Sequence, residues 1–142
     1  MKRILAILAV VAAIFAVSSC DTALHDSPVY IGTLTITGAP TSADLGGGTS
    51  FKVTGSFGSW VGKSENDVAY DGKGTITIPL SGYFPPSWAY DQVPSGVVPS
   101  ADLPIKIAIV KANGDWISDD YAKWYGLPKA QQDITVTWSD GK

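Results

Sequence analysis

The chain of 142 residues has few of the side chains from which catalytic and metal sites are usually built. It contains one cysteine, Cys20, and one histidine, His25. A single cysteine excludes disulfide frameworks and zinc clusters, and the position of Cys20 and His25 before the predicted strands argues against a Cys–His dyad. The Gly-x-Ser-x-Gly pattern of serine hydrolases does not occur either. The sequence therefore predicts a binding protein rather than an enzyme, and it indicates no cofactor.

Positive charge is also scarce, which argues against nucleic acid as a partner. Ten Lys and Arg residues stand against 13 Asp and Glu residues, for a formal net charge of −3. If the first 19 residues are removed as an export segment, Lys2 and Arg3 go with them, and eight lysines and no arginine remain. The formal charge of that part is −5. Nucleic-acid binding requires the opposite balance.

The first 19 residues have the pattern of a signal peptide. Lys2 and Arg3 precede an uncharged apolar run from Ile4 to Val17, which is short for a transmembrane helix. The run ends in Val17-Ser18-Ser19-Cys20, which resembles a bacterial lipobox. The resemblance implies that Cys20 carries diacylglycerol and that acyl chains hold the protein at a membrane. We expect a lipoprotein of the bacterial cell envelope, outside the cytoplasm, either periplasmic or surface-exposed.

The rest of the chain divides into a short tether and a folded part. Residues 20–28 are polar and end in Pro28, as expected for a tether between a lipid and a domain. Fifteen glycines, nine prolines and an apolar fraction of 45% describe a turn-rich chain with enough apolar surface for a core. Residues 29–142 are predicted to form one domain.

Alternating apolar and polar residues predict strands with one buried face. In the clearest example, Ile105 and Ile107 flank Lys106, which places the lysine on the opposite face of the strand. Five segments show this alternation: 30–38, 49–57, 74–80, 103–111 and 133–139. Their number and spacing predict an all-β fold of the β-sandwich class.

Turn and cap signals complete the prediction. Asp71-Gly72 and Asn113-Gly114 are typical of tight hairpin turns. Ser118 as N-cap and Gly126 as the residue after the end predict one short helix between them, the only one expected. Trp138 continues the alternation of the last strand and is assigned to the core.

A long connection, residues 81–102, concentrates aromatic side chains. It contains Tyr83, Phe84, Trp88 and Tyr90 in its first half, together with four prolines. Loops of this length usually carry a function of their own. Two interpretations are open: a lid whose rings cover one end of the core, or a surface that binds a partner.

Two strands each deliver a tryptophan just past their end. Gly55-Ser56-Phe57 leads to Trp60, and the strand containing Lys106 leads through Asn113-Gly114 to Trp116. This order resembles the starch- and glycogen-binding modules of early-set immunoglobulin type, whose hallmarks are Gly-Ser-Phe-Asn-x-Trp and a later Tyr-Lys-Phe-x-Val-Asp-Gly-x-Trp. The resemblance implies an immunoglobulin-like β-sandwich in which Trp60, Lys106 and Trp116 contact a glucan.

The physical chemistry of sugars is compatible with these residue types. The C–H face of a pyranose stacks on an indole, and its hydroxyls need polar partners such as a lysine ammonium. The predicted ligand-binding residues are Trp60, Trp88, Tyr90, Lys106 and Trp116, and the predicted partner is a polysaccharide. The alternatives are that Trp60 and Trp116 only pack internally, or that the loop from Tyr83 to Tyr90 binds a protein in an immunoglobulin-like structural or interaction lipoprotein.

Two groups of acidic residues have no spacing that is diagnostic of a carboxylate pair or a calcium site. Turn and helix-start positions already account for several of them. We interpret them as solvated loop acids and predict no metal site and no catalytic residue. The two groups are Glu65, Asp67 and Asp71, and Asp115, Asp119 and Asp120.

Overall fold

The computed structural model describes residues 32–58, 67–80, 83, 85–129 and 132–142. Within these ranges the chain forms seven strands, one α-helix and three 3₁₀ turns. The strands and helix are β1 (Thr33–Thr37), β2 (Phe51–Gly55), β3 (Val68–Tyr70), β4 (Thr75–Pro79), α1 (Ser87–Gln92), β5 (Leu103–Lys111), β6 (Ala122–Leu127) and β7 (Ile134–Thr137). The 3₁₀ turns are Ser56–Gly58, Asp119–Tyr121 and Trp138–Asp140.

The strands form two sheets. The three-stranded sheet has the order β4-β1-β7 and the four-stranded sheet the order β3-β2-β5-β6. The pairings among these strands are antiparallel except that of β1 with β7, which is parallel. Because β1 pairs with β4 and β2 pairs with β5, the chain passes between the sheets several times.

One hydrophobic core contains side chains from both sheets. Leu34 and Ile36 of β1 belong to the same buried cluster as Ile105, Ile107 and Ile109 of β5. Each strand contributes alternate residues, since successive side chains of a strand point to opposite faces. The even-numbered residues of β5 therefore lie on the outer face of the four-stranded sheet. Within the described residues the protein is mostly β with two sheets, which agrees with the predicted all-β class, and it has one short helix.

All five predicted strand segments contain a strand, but β3 and β6 were not predicted. The helix expected from Ser118 to Gly126 is wrong. Ser118 does cap a turn, since its Oγ accepts a hydrogen bond from Asp120 N at 3.2 Å, but that 3₁₀ turn ends at Tyr121. Ala122–Leu127 instead forms β6, because Tyr125 and Leu127 face the core while Trp124 packs on the outer face.

The two predicted hairpin turns have different outcomes. Asn113-Gly114 does reverse the chain, since Gly114 N donates to Lys111 O at 2.8 Å. The hairpin expected at Asp71-Gly72 is wrong, because this turn joins β3 of one sheet to β4 of the other. Tyr70 fixes the turn: its hydroxyl donates to Pro40 O at 2.7 Å and accepts from Gly74 N at 2.9 Å.

The long connection contains the helix α1, which the sequence did not predict. Pro86 is the N-cap residue and makes no side-chain hydrogen bond to the helix, so the sequence contains no capping residue that would mark where the helix begins. Tyr83 is 1% exposed and belongs to the core. Ala89 of α1 is fully buried. Trp138, assigned to the core from sequence, is partly buried and packs against it.

The predicted export segment, Cys20 and the tether of residues 20–28 lie outside the described residues, as do Trp60 and Phe84. In the ranges that the structure does describe, no helix has the length and apolar character required to cross a membrane.

Candidate functional site

The candidate site is the outer face of the four-stranded sheet, centred on β5. Lys106, Ala108 and Val110 alternate with core residues and share this face. Trp124 lies directly opposite Lys106 on β6, and Trp116 lies opposite Val110 in an isolated antiparallel bridge. Residues opposite one another in antiparallel strands have their side chains on the same face. The register therefore places Lys106, Trp116 and Trp124 on the same face of the sheet, with the buried side chains of Ala108 and Val110 between Lys106 and Trp116.

The turn after β5 positions Trp116. Lys111 N donates to Asp115 O at 2.9 Å, which closes the turn and brings Trp116 back beside Val110. The side chain of Trp116 is half exposed, at 50%. Its Nε1–H donates to Asp119 Oδ1 at 3.1 Å. Trp116 thus presents a large apolar surface to solvent while its only polar side-chain atom is already hydrogen-bonded.

Lys106 lies in an aromatic environment at the other end of this face. Its Nζ is 5.8 Å from the centre of the Trp124 ring, within the range of a cation–π interaction. The ring of Trp88 from α1 meets Trp124 edge to face, with ring centres 6.5 Å apart. Trp124 is only 8% exposed, whereas Lys106 and Trp88 are partly exposed. The helix α1 is thereby packed onto the outer face of the sheet.

A buried hydrogen-bond chain fixes the backbone of β5 beside Lys106. Ser56 is fully buried, and its Oγ accepts from Lys106 N at 3.0 Å. The Tyr83 hydroxyl donates to Pro104 O at 3.1 Å, so the 2.9 Å bond between Ser56 and Tyr83 has the serine as donor. Burial raises the pKa of the Tyr83 phenol far above its ordinary value. This phenol acts as a neutral structural hydrogen-bonding group.

The structure brings together part of the predicted site. Lys106 and Trp116 share one face, and the four residue steps of β5 from Lys106 to Val110 correspond to about 13 Å of strand. Trp88 lies next to the partner ring of Lys106, and Tyr90 on α1 is half exposed, at 50%. The position of Trp60 lies outside the described residues.

Trp124 is the site residue that sequence reasoning missed, because a helix was predicted for its segment. Strand alternation locates it only once the segment is known to be a strand, because both faces of β6 carry apolar residues. Tyr125 and Leu127 are two residues apart and share the core face, so Trp124, in the other phase, belongs to the outer face.

The residues available for the predicted protein-binding patch from Tyr83 to Tyr90 differ from those expected. Tyr83 is buried in the core and cannot meet a partner. Among the described residues of that loop, the rings that reach solvent are those of Trp88 and Tyr90.

The acidic residues near Trp116 have local hydrogen-bond partners. Asp115 accepts from the Asn113 side-chain amide at 2.7 Å, and Asp120 accepts from Ser118 Oγ at 3.3 Å. The described residues contain no group of three or more His, Cys, Asp or Glu side chains placed to hold a metal ion. Glu65 lies outside the described residues.

A concavity lies between β3 and β4, the edge strands of the two sheets. It has a volume of about 390 Å³, and its lining includes Phe51 and Tyr70 from the four-stranded sheet and Thr75 and Thr77 of β4. Of the predicted ligand-binding residues that the structure describes, Trp88, Tyr90, Lys106 and Trp116, none lines it.

No family model, curated protein or solved structure matches the chain. A functional hypothesis therefore depends on the chemistry of the outer sheet face.

Proposed function

We propose that the protein is a lipid-anchored binding protein of the bacterial cell envelope that holds a polysaccharide, an α-glucan or a related glycan, on the outer face of its four-stranded sheet. The observation that carries the proposal is the half-exposed indole of Trp116 on the same sheet face as Lys106. An exposed indole can stack on the C–H face of a pyranose, and a lysine ammonium about 13 Å away along the same strand can donate to sugar hydroxyls.

Each end of the face has a distinct role in this proposal. The Trp116 ring stacks on the C–H face of a pyranose, and the Lys106 ammonium donates to hydroxyls of a sugar further along the glycan. Trp88, whose ring meets that of Trp124, extends the apolar surface near Lys106, and Tyr90 supplies a half-exposed ring on the same helix. Trp60 is included from the sequence pattern. The spacing of about 13 Å along β5 suits a ligand longer than a single sugar.

The anchor and the fold class form part of the same proposal. The Val17-Ser18-Ser19-Cys20 motif supports lipidation of Cys20, with residues 20–28 as the tether. We also infer that the two sheets form an immunoglobulin-like β-sandwich. The shared core and the chain crossings between the sheets support this inference. A binding role requires no catalytic group, and we propose no enzymatic activity.

A second function is supported by a different observation. Tyr90 is half exposed on α1, and Trp88 on the same helix is partly exposed. Exposed aromatic side chains are common anchors of protein interfaces. In this alternative the surface of α1 binds a protein, and no glycan is involved.

Retention on polysaccharides separates the two functions. Residues 21–142 are passed over insoluble starch and a panel of other polysaccharides, alongside Trp116→Ala, Tyr90→Ala and the distant control Thr77→Ala. The glycan proposal predicts retention of the parent, a loss of about two- to twelvefold in Trp116→Ala, and no change in Thr77→Ala, because a stacked ring contributes about 0.5–1.5 kcal/mol. Absence of retention on the whole panel contradicts the proposal and favours a protein partner.

A further inference from the structure

The Trp116 indole is hydrogen-bonded through its N–H group while half of its surface remains exposed. Its Nε1–H donates to Asp119 Oδ1 at 3.1 Å, and the side chain is 50% exposed. A hydrogen bond to an ionised carboxylate is stronger than one between neutral groups. An exposed tryptophan without such a bond would sample several rotamers.

The backbone around Asp119 is fixed from both sides. Ser118 caps the 3₁₀ turn, since its Oγ accepts from Asp120 N at 3.2 Å and its carbonyl accepts from Tyr121 N at 3.2 Å. At the end of the turn, the Tyr121 hydroxyl donates to Asp44 O at 2.7 Å, which ties the turn to a separate loop. The backbone that carries the Asp119 carboxylate is therefore fixed next to Trp116.

We propose that Asp119 is a positioning residue that fixes the Trp116 indole so that its face, and not its N–H group, meets the saccharide. The inference rests on the proposed function, because it assigns a role within the same site. A ring that is already ordered loses less conformational freedom when a ligand binds. Because the N–H is occupied, stacking is the contact left to this side chain. Asp119 raises affinity without touching the ligand.

The neighbouring acid provides a matched control. Asp120 is one residue away, is exposed and carries the same charge, but its side chain accepts from Ser118 rather than from Trp116. If binding depends only on negative charge near the site, Asp119→Ala and Asp120→Ala will weaken it equally. If binding depends on the orientation of the indole, only Asp119→Ala will weaken it.

The test compares Asp119→Ala, Asp119→Asn and Asp120→Ala with the parent in two measurements. Retention on the polysaccharide that binds the parent reports function. The indole N–H resonance of Trp116 in ¹⁵N–¹H spectra, assigned from Trp116→Phe, reports the hydrogen bond. We expect Asp119→Ala to shift this resonance, to speed its exchange with water and to weaken retention about three- to tenfold. Asp119→Asn keeps an acceptor oxygen and is therefore expected to keep most of the retention of the parent. Asp120→Ala leaves both measurements near those of the parent.

The outcomes separate this inference from the proposed function. If the parent and Asp119→Ala are retained equally while Trp116→Ala is not retained, Asp119 has no positioning role, but the proposed glycan site is still supported. If the parent is not retained on any polysaccharide, the proposed function and this inference fall together. Urea unfolding checks each variant, and Asp119→Leu, which removes the acceptor but keeps a similar shape, replaces Asp119→Ala if the alanine variant does not fold.

Discussion

Replacing Ser56 with alanine tests the buried hydrogen-bond chain that supports the site. Ser56 Oγ accepts from Lys106 N and donates to the Tyr83 hydroxyl, which donates to Pro104 O. Ser56→Ala removes both bonds made by the serine. It leaves the Lys106 N–H without its partner next to a fully buried position.

The size of the effect can be worked out from the two lost bonds. An unsatisfied buried donor costs about 1–3 kcal/mol, and an ordinary hydrogen bond contributes about 0.5–1.5 kcal/mol net. We therefore expect Ser56→Ala to lower the free energy of unfolding by about 2–4 kcal/mol. Tyr83→Phe is expected to cost about 1–3 kcal/mol, because it leaves Pro104 O and the Ser56 hydroxyl proton without partners.

The double variant makes the test specific to the chain of bonds. The Ser56–Tyr83 bond is lost in both single variants, so the double variant should cost less than their sum by about 0.5–1.5 kcal/mol. Urea unfolding followed by tryptophan fluorescence measures all three values. Ser50→Ala, at an exposed serine, is the matched control and should change stability little.

Two results would refute this reasoning. One is a Ser56→Ala cost no larger than that of the control. The other is full additivity of the two substitutions, which would mean that the serine and the tyrosine do not depend on each other.

Three further predictions concern the backbone, the tyrosines and the anchor. Gly55→Ala should cost about 2 kcal/mol or more in urea unfolding, because a Cβ there would collide with the Lys106 carbonyl oxygen; an unchanged stability would contradict that close approach. Burial raises the pKa of Tyr83 and of Tyr125 far above the unfolded value of about 10, so stability should be fully present below pH 10 and fall above it, by up to about 1.4 kcal/mol per pH unit for each phenol. If the free energy of unfolding does not change between about pH 10 and 11.5, these phenols ionise as easily in the folded protein as in the unfolded chain, which would contradict the prediction. Cys20→Ser should abolish incorporation of labelled fatty acid and release the protein from membranes, whereas continued labelling would place the lipid elsewhere.

The strands that sequence reasoning identified are those with one apolar face. β5 shows why: Ile105, Ile107 and Ile109 face the core, and Lys106 marks the opposite face. β6 was missed because apolar residues occupy both of its faces, with Trp124 on one and Tyr125 on the other. The cap at Ser118 is real, but it serves a turn of three residues and gives no information about the strand after that turn.

The candidate site was predicted in part for similar reasons. Strand alternation was sufficient to place Lys106 on the outer face, and the Asn113-Gly114 turn was sufficient to bring Trp116 back along β5. The contact of Lys106 with Trp124 depends on the pairing of β5 with β6, which local sequence does not specify. The helix that carries Trp88 has no side-chain cap, and its packing on the sheet arises from tertiary contacts.

The most direct test of the proposed function is a titration of isotope-labelled residues 21–142 with a soluble glucan oligosaccharide, followed in ¹⁵N–¹H spectra. We predict that the largest shifts occur at the Trp116 indole N–H and at the backbone amides of Lys106 and Val110. The amides of Thr75 and Thr77, on the other sheet, should not move. Shifts that cluster at those threonines, or spectra that do not change at high ligand concentration, would contradict the assignment of a glycan to the outer face.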